Sequence, residues 1–399
     1  MEPISAGAGV MTTEGATEIA VDSLDAGKPE KGELIFKTAL GILYDDNIYQ
    51  TDTDPAADFV ALARVGAEFG SRESGNGSFL FGYDATGYTY IDNSDLNGVN
   101  HAAMFQAALD LPKTKLGASF NYARVSSGAG SLFGQLSGGG GRSTTAEREG
   151  AQFTEQDVVG GALRASRDLS AKVVLDSTLT YNARYLHGDY LSSESMSGRL
   201  GLGYRVTERT VAGFDGVYGI LDADTSPRQT YQNALFKLEY APTGKLGFLG
   251  DAGVETRQRD GDGGSDSSGF IFHVQARYAI RERTAVSLGA GRYTEGSATE
   301  AGTTVQRTFI STSLEQDIGR KFHLVLESGY DTSDYTSTVD EAQPEWAENY
   351  WFGRLGLDYR PNDRSSVGLF YEHRNSDSER EGEFSYRGNR IGIQLAVTF

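Results

Sequence analysis

From Leu34 to the terminal Phe399 the chain repeats one pattern, short stretches in which apolar and polar residues alternate, each closed by a polar connection. In the last stretch Ile391, Ile393, Leu395, Val397 and Phe399 share one side of an extended strand, and Gly392, Gln394, Ala396 and Thr398 share the other. Side chains of a strand alternate faces with a period of two, so one face of each stretch suits hydrocarbon and the other suits water. About eighteen such stretches can be counted, joined by connections that are alternately short and long. The pattern predicts an all-β fold, a transmembrane antiparallel β-barrel of about 18 strands, with about 16 as the fallback if two assignments fail. An even strand count leaves both termini at the short-turn end, which is periplasmic in an outer-membrane barrel.

Composition closes the other routes into a membrane. Mean hydropathy is −0.40 and no run of about eighteen apolar residues exists, which excludes a helical membrane protein. Cysteine is absent, so disulfides, thiolate catalysis and cysteine-ligated metals are excluded together. The opening MEPISAGAGVMTTEGATE has no basic start and no apolar core, so a secretory signal peptide is missing, and a mature or trimmed sequence is expected. Residues 1–32 show no periodicity and read as a disordered periplasmic segment, or as a short plug or docking segment; residues 33–399 form the barrel.

The short connections are chemically alike, for example Pro112-Lys113-Thr114-Lys115, Arg281-Glu282-Arg283-Thr284 and Pro361-Asn362-Asp363, with Ser71 to Ser78 as a further turn. The long ones are rich in Asp, Ser, Gly and Thr and read as extracellular loops. Tyr204, Tyr240, Tyr278 and Tyr359 fall near short turns, and Tyr44, Tyr181, Tyr330 and Tyr371 nearer long loops. That placement predicts two interfacial girdles.

The opposite phase of the strands predicts a pore lining of Lys37, Arg64, Glu68, Asp84, Asp110, Arg164, Asp176, Arg184, Arg199, Arg205, Asp215, Lys237, Glu239, Arg277, Glu327, Arg354, Asp358, Glu372 and Arg374, with Asp251 among them. A charge on the lipid face near the midplane costs about 2–4 kcal/mol, so these side chains must meet water or one another. They brace the wall as ion-pair ladders, or they form a polar track for a hydroxylated or anionic solute. The two signs nearly cancel here, so most of the net charge of −19 belongs to the loops and the amino-terminal segment. The longest loop, from about Ser126 to Gln156, carries Leu132, Phe133, four consecutive glycines from Gly138, and Arg142, Glu147, Arg148 and Glu149. A loop of that length is functional or disordered. The open readings are a gate entering the lumen, an extracellular flap and plain disorder; in general porins a loop at a comparable position narrows the barrel.

No nucleophile elbow, paired-histidine zinc motif or phosphate loop occurs, and the five histidines are scattered, so no catalytic residues and no enzyme activity are expected. No cofactor and no metal site is expected; the run from Asp260 to Asp266 has the flavour of a calcium loop but lacks the closing glutamate. An acidic rim argues against nucleic acid. The expected surroundings are outer-membrane lipid and lipopolysaccharide. The terminal Phe399 resembles the aromatic carboxy-terminal signal by which the barrel-assembly machinery recognises outer-membrane barrels.

The first strand ends Tyr44-Asp45-Asp46-Asn47, followed by Thr51-Asp52-Thr53-Asp54-Pro55 and a strand over Phe59 to Phe69. In these residues the chain resembles the family of outer-membrane β-barrel porins associated with exopolysaccharide export loci, and by architecture the likeness extends to Phe399. The resemblance implies an eighteen-stranded porin of a Gram-negative outer membrane through which a polysaccharide leaves, working with a periplasmic polysaccharide-export protein. Asp45, Asp46 and Asn47 read either as an Asx turn ending the strand or as a carbohydrate contact. Tyr88, Tyr90 and Phe370 read as sugar-stacking aromatics or as packing. Two rivals stand beside export: a general or sugar-specific diffusion porin, and a structural or adhesive surface barrel with a blocked lumen.

Overall fold

The computed structural model describes residues 32–74, 76–126, 155–188, 190–224, 226–260, 266–297, 303–337, 345–380 and 385–399. Eighteen strands occupy nearly all of them. The first nine are β1 (Glu33–Asp45), β2 (Asp58–Ser74), β3 (Gly77–Tyr90), β4 (Gly98–Leu111), β5 (Thr114–Ser126), β6 (Glu155–Asp168), β7 (Val173–Leu186), β8 (Ser193–Thr207) and β9 (Thr210–Ala223). The second nine are β10 (Gln229–Thr243), β11 (Leu246–Arg259), β12 (Ser267–Arg281), β13 (Thr284–Gly296), β14 (Thr303–Ile318), β15 (Phe322–Ser337), β16 (Trp346–Asn362), β17 (Ser365–Ser378) and β18 (Tyr386–Thr398). Each strand pairs antiparallel with its neighbours in sequence, and β1 pairs with β18 from Lys37↔Thr398 to Asp45↔Arg390, closing the sheet on itself. Closure leaves no backbone edge unpaired, the condition for a sheet to sit in hydrocarbon. No helix among the described residues is long and apolar enough to cross a membrane.

The two faces differ as the alternation requires. On the outside stand Phe36, Leu40, Phe81, Leu163, Leu200, Phe214, Phe270, Leu326, Leu355 and Leu395, all exposed. Aromatic rings meet across neighbouring strands near both borders of this band, as in Phe322 with Tyr359 at 5.0 Å and Tyr44 with Phe59 at 5.0 Å. Toward the long-loop end the outward tyrosines hydrogen-bond to outward polar residues. Tyr371 donates to Asn389 at 2.7 Å, Tyr330 to Asn349 at 2.7 Å, Tyr185 to Glu194 at 2.7 Å and Tyr122 to Asp157 at 2.7 Å. These pairs mark where the apolar band stops. The strands run to 17 residues, longer than the roughly 9–11 a bilayer needs, and continue past that border.

The short turns are tighter than the sequence suggests. Ser71 to Ser74 belong to β2 and β3 starts at Gly77, so the expected Ser71–Ser78 turn shrinks to residues 75–76. Polar residues that alternate beyond the apolar band look like turn in a sequence, yet they keep their ladder bonds. The 126–156 connection joins β5 to β6 as expected, but its gate candidates Leu132, Phe133, Arg142, Glu147, Arg148 and Glu149 lie outside the described residues. So do residues 1–31 and, apart from its two ends, the run from Asp260 to Asp266.

Candidate functional site: the inner wall of the barrel

On the inner face most ionised groups are paired, and many pairs bridge neighbouring strands. Lys37 on β1 reaches Glu68 on β2 at 2.5 Å, and Arg64 on β2 reaches Asp84 on β3 at 2.9 Å. Arg205 meets Asp168 at 2.5 Å, and Arg354 stands 3.7 Å from Glu327. Arg199 binds Asp215 and, at 3.2 Å, Asp251.

The Lys237 contact, like that of Arg199 with Asp251, reaches across three strands. Its Nζ lies 2.6 Å from Asp176, three strands away on β7, and 3.8 Å from Asp215. In register Lys237 faces Gly213, and Gly213 faces Gly203. The two glycines form a trough along which the lysine stem lies; a Cβ on Gly213 would stand 2.4 Å from the Leu202 carbonyl.

Four further expected residues divide by height. Arg164 and Arg184 are half-buried on the inner face, whereas Asp110 and Glu239 are exposed toward the short turns. Arg277 is exposed and pairs with Glu315 at 2.8 Å, and Asp358 lines a shallow recess with Arg354 and Phe370.

The wall also holds ionised groups beyond the expected lining. Arg257 donates to Glu255 at 2.6 Å and lies 5.0 Å from the Tyr231 ring centroid, and Arg307 donates to Asp331 at 2.6 Å. Glu348 accepts from Tyr335 at 3.0 Å and Ser376 at 2.8 Å. The period of two could have found them, since Arg257 and Glu255 are in phase with Asp251 and Arg390 with Gln394.

The seam between first and last strands carries the densest set. Asp45 accepts from Arg390 Nε at 2.6 Å and from Arg374 at 3.2 Å, with all three side chains at most 4% exposed. Glu372 adds a second carboxylate, 3.5 Å from Arg374 and 3.8 Å from Arg390. Asp46 accepts the Asn389 N–H and its side-chain amide, both at 2.6 Å, and Asn47 donates to the Arg387 carbonyl at 2.8 Å. The Asn47 N–H also donates to Asp45 at 3.1 Å, the bond of an Asx turn. Every residue of Asp45-Asp46-Asn47 thus ties β1 to the strands that end the chain.

Beside the seam the inner face is apolar. Leu43, Val60, Leu62, Tyr88, Tyr90, Phe370 and Ala396 form one buried cluster, joined by Ile48 from the β1–β2 connection; Ala56 of the same connection and Leu96 from the β3–β4 connection pack against it. Tyr88, Tyr90 and Phe370 are at most 4% exposed, so packing occupies the rings considered for sugar stacking. Two connections at the long-loop end therefore fold against the inside of the wall.

Residues 249–399, from β11 to the end of the chain, match the family model described as "Putative beta-barrel porin 2". No curated protein matches the chain. Similar solved structures include OccK2 (OpdF) of Pseudomonas aeruginosa, with 12% identity over 93% of this chain and 100% of that one at a TM-score of 0.48. Acinetobacter baumannii OccAB3 has 12% identity over 92% and 100%, with a TM-score of 0.47. The outer membrane protein opdK of Pseudomonas aeruginosa has 14% identity over 92% and 99%, with a TM-score of 0.44. Likenesses at this level carry nothing about what passes through the barrel.

Proposed function

We propose that this outer-membrane β-barrel, a porin by its family match and a channel rather than an enzyme, is a conduit for the export of a hydroxylated polymer, an exopolysaccharide. One observation carries the reading. The inner wall is dense in ionised groups yet nearly neutral, because lysine and arginine are matched by carboxylates at 2.5–3.8 Å. A wall of one sign would hold a counter-ion-like solute or select small ions by charge. Paired charges instead offer donors and acceptors in alternation, the complement of a sugar hydroxyl, with no net attraction to slow a long chain.

The apolar cluster with Ile48 and Leu96 supports a controlled bore over a wide diffusion pore, since it places chain inside the wall at the long-loop end. Residues 126–156 keep the role their length suggests, a constriction or gate. The energy of export comes from polymer synthesis, and a periplasmic polysaccharide-export protein delivers the chain to the short-turn end. Phe399 serves the barrel-assembly machinery, and lipopolysaccharide surrounds the outer girdle.

The test joins two measurements. Deleting the chromosomal copy should abolish secreted polysaccharide while leaving small-sugar uptake unchanged. In planar bilayers the full chain should conduct weakly, and a chain with residues 126–156 replaced by a short Gly and Ser linker should conduct strongly. A full chain that is already widely open, with lost sugar uptake in the deletion strain, overturns export in favour of a diffusion porin.

A further inference from the structure

The chain as a whole carries a net charge of −19, yet its short-turn end is basic. Each of the seven turns from β4–β5 to β16–β17 bears an exposed cation, among them Lys113, Lys172, Arg209, Lys245, Arg283 and Arg364, with Arg320 and Lys321 adjacent on the β14–β15 turn. Within three residues of these turns stand twelve exposed basic side chains and five exposed acidic ones.

Pairing with carboxylates does not spend these cations. Arg209 donates to the Pro242 carbonyl at 2.6 Å and Arg283 to the Gly319 carbonyl at 2.9 Å, each on the next turn. A carbonyl fixes the guanidinium in place and leaves its charge uncompensated. The result is a ring of fixed positive charge around the mouth where both termini emerge.

The amino-terminal segment has the opposite character. Residues 1–31 carry Glu2, Glu14, Glu18, Asp22, Asp25 and Glu30 against Lys28 and Lys31. The segment is tethered at this same end. The Gly32 N–H donates to the Gly70 carbonyl at 3.1 Å, which fixes the point where the segment joins β1.

We propose that residues 1–31 dock on the basic ring of their own barrel, with Glu14, Glu18, Asp22 and Asp25 against the turn cations. Eighteen strands about 4.8 Å apart and tilted about 40° give a mouth about 36 Å across. Thirty-one residues of chain can reach at most about 100 Å, so the segment is long enough to meet turn cations on any side of the mouth. Tethering holds its effective concentration in the millimolar range, where weak ion pairs suffice. At physiological ionic strength each pair acts over about 8 Å, which makes the docking dependent on salt.

The full chain in vesicles of zwitterionic lipid is treated with a carbodiimide, which joins a carboxylate to a lysine only in direct contact, and the products are mapped by mass spectrometry. Docking yields links from Glu14, Glu18, Asp22 or Asp25 to at least two of Lys113, Lys172, Lys245 and Lys321, reduced at least about fivefold in about 0.5 M salt. A Glu14→Gln, Glu18→Gln, Asp22→Asn, Asp25→Asn variant, with all changes outside the barrel, should protect the turn lysines from linkage while retaining the folded mobility of the barrel on gels. Absence of links at low salt, or links indifferent to salt, overturns the proposal. Loss of links when one tenth of the lipid is anionic also overturns it, because lipid phosphate would then be the occupant of the ring.

Discussion

Replacing Asp45 with asparagine tests the seam. The substitution keeps size and the oxygen that accepts the Asn47 N–H, and replaces the charged oxygen that accepts from Arg374 and Arg390 with an amide donor. Both guanidiniums are at most 4% exposed, so neither can recover its loss from water. Removing one partner of a buried pair costs about 3–5 kcal/mol. Glu372 remains within 3.8 Å of both arginines and takes over part of the load, which brings the expected loss to about 2–4 kcal/mol. Urea unfolding of the reconstituted barrel measures it, with Glu315→Gln as the control. Glu315 pairs with Arg277 where both are more than a third exposed, and that change should cost no more than about 1 kcal/mol. If Asp45→Asn and Glu315→Gln give the same midpoint, the seam is not held by buried charge and the reasoning fails.

Leu163→Lys, on the lipid side, should lower stability by about 2–4 kcal/mol, whereas Ala162→Lys, one residue away at a half-buried position on the inner side, should cost much less; equal losses would mean the faces are misassigned. Gly213→Ala should destabilise by about 1–3 kcal/mol, read as a lower unfolding midpoint, because the added carbon meets backbone that cannot move. Phe399→Ala should leave the unfolding midpoint of the finished barrel nearly unchanged while lowering its yield in the outer membrane several-fold. The Phe399 bonds to Phe36 are backbone bonds that alanine retains, so equal losses in both measurements would remove the assembly role.

The barrel was legible because a period of two is a local property that survives in sequence whatever the partners are. The same signal fixed the phase of Lys37, Arg64 and Arg199, and the register then supplied their carboxylates on adjacent strands. It could not show that Lys237 reaches Asp176 across three strands, since that depends on the glycines Gly213 and Gly203 meeting in register. Nor could it separate packing from binding at Tyr88, Tyr90 and Phe370. These rings are buried by Ile48 from a connection with no periodicity, and only the folded chain brings the two together. The Asp45-Asp46-Asn47 sequence stood out as unusual, but its contacts lie more than three hundred residues away at Asn389 and Arg390.

The strands outlast the lipid. On β15 the apolar band ends at Tyr330 while the ladder to β14 and β16 continues through Asp331, Ser333 and Tyr335, about 18 Å farther along the axis by Ser337. This projecting collar is hydrogen-bonded like the rest of the wall but touches no acyl chain. Bilayer thickness and lateral pressure therefore act directly on the girdled section, and they reach the collar only through the ladder bonds it shares with the wall below.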